Sequence, residues 1–183
     1  MLIEIENEKY KEQVIFMLNN SMFGVNSYSF VGQNFINIER KNLFKLSKFE
    51  YLYYSKNTVN TRRSILFLFK NSNGDEDKVI ILKDFKMYRL DNVDIDKNYF
   101  NGSIFDISLN LTDNEIIIYD TFMIGGHNKT RTSFTDRISD CDCFIHNINS
   151  SYEIKIVEYK NTAFNVSSNE ELFMIPNNFP LMN

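Results

Sequence analysis

The chain has 183 residues, 24 acidic against 20 basic side chains, and a formal charge of -4. That length allows about one domain, 43% hydrophobic and 15% aromatic residues exclude a disordered chain, and the acidic balance excludes a global basic field for nucleic acid, leaving only local patches. No apolar run approaches the ~18 residues of a membrane span, and the start, with Glu4, Glu6 and Glu8, does not read as a signal peptide. Cys141 and Cys143 are too close in sequence to bridge readily or to frame a secreted fold, so a reducing, cytoplasmic setting is expected. Asn and Ile abound, Ala163 is the only alanine, and Gly (6) and Pro (2) are scarce. This is the codon signature of an A+T-rich genome, such as that of a large DNA virus or a cytoplasmic plasmid.

The first predicted element is a helix over Asn7 to Leu18, with Tyr10, Val14, Met17 and Leu18 at helical spacing, Asn7 as its cap and Asn19 to Ser21 as its stop. Asn42 to Phe49 predicts a short second helix with a lysine-bearing wet face. Ser64 to Lys70 (SILFLFK) is a continuous apolar run of strand length. The turn residues Asn71 to Asp75 and a return strand at Lys78 to Leu82 complete a hairpin. Further strands are predicted at Phe85 to Leu90, Ser103 to Leu109 and Glu115 to Thr121, the last two joined by the turn Asn110 to Asn114. Gly125 to Asn128 reads as a turn, Phe134 to Cys143 as a helix and Tyr152 to Tyr159 as a strand. Ser168 to Met174, with Glu170 and Glu171 in a first turn, reads as a capped helix. The sum is an α+β domain on a twisted antiparallel sheet flanked by helices, with residues 1–29 as a helical extension and 30–183 as the domain proper. Ile65, Leu66, Phe67, Ile80, Ile104, Ile117 and Ile118 are its expected core.

Single-residue chemistry is sparse. His127, His146, Cys141 and Cys143 would all be needed for a zinc site, and Cys-x-Cys is tighter than the usual ligand spacing, so no metal is expected. No phosphate-binding loop, dinucleotide fingerprint or nucleophile elbow is present. The acidic run Asp75 to Asp77 reads as a solvated turn.

The order of segments carries more. Phe30 to Gln33 (FVGQ) and Ile36 to Arg40 (INIER) precede the second helix. Tyr51 to Lys56 (YLYYSK) leads to Arg62, Arg63 and the apolar strand. Then come the hairpin, Asn101 to Leu109 (NGSIFDISL), Ile116 to Gly126 (IIIYDTFMIGG), and Arg131, Phe134 and Arg137. This succession, over roughly residues 30 to 160, resembles the nucleotidyltransferase domain of mRNA capping guanylyltransferases, relatives of ATP-dependent DNA ligases. The resemblance implies a nucleotidyltransferase-like domain, here without the oligonucleotide-binding-fold lid. It implies Lys56 as the lysine that attacks the α-phosphorus of GTP, and Arg62 or Arg63 as the arginine contacting the nucleotide. Asp106 matches the aspartate of the family's asp-gly-glu motif, and Tyr119, Asp120 and Phe122 match the strand beside the base pocket. Lys129, Arg131 and Arg137 are the expected RNA or phosphate patch.

The departures fall at the chemistry. After Lys56 the chain reads Asn57-Thr58-Val59-Asn60, without the family's aspartate-glycine, and Ile107 and Ser108 replace the glycine and glutamate after Asp106. A later acidic motif is not found. A transferring phosphoryl group needs cationic and metal clamps, so the expectation is a non-catalytic guanylyltransferase-like subunit with no cofactor. It would act as a protein- and RNA-binding scaffold beside a larger protein of a viral-type transcription or capping assembly, in the cytoplasm, a viral factory or a virion, with the RNA 5′ end as a further contact and no membrane. The alternative is an active guanylyltransferase using GTP with Mg or Mn through a covalent Lys56–GMP intermediate. A ligase-like adenylyltransferase fragment is more distant.

Overall fold

The computed structural model describes residues 2–23, 50–57, 61–110, 112–163, 165, 168 and 170–176. The predicted helix at Asn42 to Phe49 and the segments at Phe30 to Gln33 and Ile36 to Arg40 lie outside them.

The architecture follows from one strand. β3 (Thr61–Lys70) is apolar without alternation because both of its faces are covered. Ile65, Phe67 and Phe69 point to one side, where α1 (Glu8–Phe23) presents Val14, Ile15 and Leu18. Leu66 and Leu68 point to the other, where α2 (Phe134–His146) presents Cys141 and Phe144. The result is an α+β fold in which a sheet is sandwiched between helices.

Strands join in the order β1–β5–β4–β3–β7–β8–β11. Their bounds are β1 Leu2–Glu4, β4 Glu76–Leu82, β5 Met87–Leu90, β7 Asn101–Asn110, β8 Glu115–Ile124 and β11 Glu153–Ile156. All neighbours are antiparallel except β8 and β11, which run parallel with α2 between them in sequence. The expected wholly antiparallel sheet therefore carries one parallel edge. β9 (His127–Asn128) folds back on β8 through the Gly125–Gly126 turn. Both glycines have positive φ, and a Cβ on Gly126 would meet the Asn101 carbonyl at 3.1 Å, so only glycine fits. Among the described residues there are also two small ribbons: β6 (Val93–Ile95) with β10 (Ile148–Ser150), and β2 (Tyr51–Asn57) with β12 (Glu170–Pro176).

The β3–β4 hairpin forms as expected. The Asn71 side-chain oxygen accepts from the amides of Asn73 and Asp75 at 2.9 and 3.0 Å, and Gly74 takes φ +87. All seven expected core residues are buried or half-buried.

Several expectations are corrected. α1 continues through Asn19 to Ser21 to Phe23, while Asn7 does cap it, its side-chain oxygen accepting from the Tyr10 amide at 3.1 Å. The segment read as an extension thus supplies the edge strand β1 and the helix covering one sheet face. β5 starts at Met87 because Phe85 sits in the preceding turn with φ +63. Ser168 to Met174 is not a helix: Glu170–Pro176 is strand β12, whose Phe173 stacks on Tyr54 of β2 at 5.4 Å between ring centroids. Side-chain burial against β2 overrides the acidic first-turn pattern.

Candidate functional site

Lys56, Tyr119, Arg63, Asp106, Asp120 and Arg137 are brought into one neighbourhood where the β2–β12 ribbon meets β7 and β8. The local cause is a bulge. Asp106 of β7 pairs with Asp120 of β8, but the next pair is Ile107 with Ile118, so Tyr119 is the extra residue. Lys56 of β2 places its Nζ 5.3 Å from the centre of the Tyr119 ring, a cation–π distance.

Around that contact is a packed aromatic group. Tyr54, two residues before Lys56, lies 5.4 Å from Tyr119 and 5.2 Å from Tyr159, centroid to centroid. Tyr159 donates its hydroxyl to the Tyr119 carbonyl and packs edge-on against Phe134 at the start of α2. Burial is the main reason these phenols resist ionisation. It pushes Tyr119 to about 12, with the Asp106 charge adding to it, pushes Tyr54 higher still and raises Tyr159 well above the usual value.

The paired carboxylates Asp106 and Asp120 would repel across the ladder, and each is taken by a separate arginine. Arg63 of β3 clasps Asp106 in fork geometry, Nε to Oδ1 at 3.1 Å and Nη2 to Oδ2 at 2.8 Å. Arg137 of α2 clasps Asp120 likewise, at 2.8 and 3.1 Å, and its Nη1 donates to the Thr132 carbonyl at 2.7 Å. Asp120 is almost wholly enclosed. Burial raises its carboxyl to about 6 even though Arg137 pulls the other way. Ser108, where the resemblance expects a glutamate, is the backbone partner of Arg63.

The other expected site residues fall elsewhere. Arg62 points off the opposite face of β3 from Arg63 and is exposed. Phe122 is buried in the core cluster under α1 with Ile65, Phe67 and Ile104, so it packs the fold rather than lining the Lys56 neighbourhood. The expected patch of Lys129, Arg131 and Arg137 does not assemble. Arg137 is fully buried and bound to Asp120, and Lys129 pairs with Asp140 at 2.9 Å, leaving Arg131 exposed beside them. A signal for Arg137 was present in the sequence, since it falls on the stripe Phe134, Cys141 and Phe144 that α2 buries. Tyr159 and Phe173 were not singled out for the site, because nothing local marks a residue that joins an aromatic group from a distant strand.

Cys141 is buried and Cys143 exposed, and among the described residues no three of His, Cys, Asp and Glu are grouped to hold a metal. No helix among them is long and apolar enough to cross a membrane. The sequence matches no protein-family model and no curated protein.

Proposed function

We propose that the chain is a non-catalytic relative of the mRNA guanylyltransferases, retained as a protein- and RNA-binding subunit of a transcription or capping assembly of viral type. One observation supports this above the others. Of the residues that the resemblance assigns to the nucleotide, Lys56, Arg63, Asp106 and Asp120 lie around Tyr119, yet the arginine is spent inside the fold: Arg63 is held by Asp106, as Arg137 of the expected phosphate patch is by Asp120, with the uncharged Ser108 opposite Arg63. Charge stabilisation of a transferring phosphoryl group would need groups aimed at the ligand instead. Binding without turnover is the use such a fold retains.

The active reading draws on one contact, Lys56 over the Tyr119 ring. It requires Lys56 to be a nucleophile toward GTP with Mg or Mn, a role in which lysine needs its amine pKa lowered.

The scaffold reading is tested by purifying the tagged full chain from its native source at physiological salt. A stoichiometric complex containing an RNA polymerase or capping subunit is expected. A chain that stays monomeric there would contradict the reading.

A further inference from the structure

The β4–β5 turn joins two features that turn-making does not require. Phe85 holds φ +63, a left-handed conformation that glycine adopts freely and a bulky side chain rarely does. The turn is closed around it by bonds from the Phe85 amide to the Leu82 carbonyl and from the Leu82 amide to the Lys86 carbonyl, both 2.9 Å. Phe85 is 37% exposed and belongs to neither core cluster. Here a strained backbone holds a partly exposed aromatic residue.

The second feature is charge. Lys83 and Lys86 stand on either side of Phe85 in the turn's sequence and are exposed. Ser64 pairs with Leu82, so the exposed Arg62 stands two residues further along β3, at the same end of the sheet as the turn. Two acids lie near: Asp84 in the turn, whose Oδ1 accepts from the Lys86 amide at 3.3 Å, and the exposed Glu6, which the β1–β5 register brings opposite Lys86.

We infer that Phe85, with Lys83, Lys86 and Arg62, is a contact site for single-stranded RNA, the ring stacking on a base and the cations meeting the flanking phosphates. A free aromatic face with cations beside it is the arrangement by which single strands are held without reading sequence. The inference deepens the proposed function and rests on it for the presence of RNA. It also moves the RNA contact away from Lys129, Arg131 and Arg137.

The test is anisotropy of a labelled oligouridine with the full chain alone, so its failure would leave the co-purification result standing. Phe85→Gly removes the ring while relieving the backbone. It should keep the thermal midpoint and weaken binding about tenfold, the scale of one lost base stack. Three phosphate contacts on a single strand predict a log–log salt slope of about −2, which Arg62→Ala with Lys83→Ala and Lys86→Ala should bring close to zero. Lys129→Ala with Arg131→Ala should change neither. Equal affinity of wild type and Phe85→Gly, no binding by wild type at low salt, or loss of a protein partner by Phe85→Gly with RNA affinity intact would each overturn the assignment.

Discussion

Arg137 and Asp120 form a two-pronged ion pair, 2.8 and 3.1 Å, with the guanidinium fully buried between α2 and β8. The pair fastens the helix that covers one sheet face to the strand carrying the Tyr119 bulge. It joins the fold to the candidate site.

Arg137→Met should therefore destabilise strongly, by about 3–5 kcal/mol at pH 8, because it leaves a buried carboxylate without its partner. The loss should shrink at pH 5. In the folded chain burial already raises the Asp120 carboxyl to about 6, above its unfolded value near 4. A raised carboxyl favours folding when protonated, and that contribution is lost as pH rises through the folded pKa. Removing Arg137 raises it further. Denaturant unfolding of both proteins at the two pH values measures the difference, and an equal loss at both would contradict this account.

The tyrosines predict the alkaline limit. Tyr10, whose hydroxyl donates to Asp77 at 2.7 Å, and Tyr119 are each pushed to about 12, mainly by burial, and burial raises Tyr54 and Tyr159 strongly as well. A raised phenol contributes stability that is complete below the unfolded pKa of about 10 and is lost as pH rises through the folded one. Phenolate absorbance should therefore show these four titrating together with unfolding, after the more exposed tyrosines.

Phe144→Ala should cost about 3–5 kcal/mol. Phe144 is fully buried, stacks on Phe105 at 4.2 Å and meets Tyr99 edge-on. Thermal or chemical unfolding measures it, and Phe16→Ala, on the exposed face of α1, should change stability little.

The sheet was legible where local signals agree. The SILFLFK run, the Asn71 to Asp75 turn and the return strand specify a hairpin with both faces covered, and that is what forms. The site was legible only in part. Lys56, Arg63, Asp106, Tyr119 and Asp120 are named by segment order, but that order does not say that the two carboxylates are neighbours on a ladder with one arginine each. β12 was misread because Glu170 and Glu171 imitate a helix start, while the reason for a strand is Tyr54, more than a hundred residues away. The parallel β8–β11 pairing likewise has no local mark. The resemblance puts Arg137 in a phosphate patch, while its spacing places it in the buried stripe with Phe134, Cys141 and Phe144.

The most direct test of the central claim is incubation of the full chain with α-labelled GTP, and separately ATP, with magnesium or manganese, resolved on a denaturing gel beside Lys56→Ala. Arg63 and Arg137 neutralised within the fold, and Ser108 where the resemblance expects a glutamate, predict no covalent label with either nucleotide. A robust label that disappears in Lys56→Ala would contradict the account and make the chain an active nucleotidyltransferase.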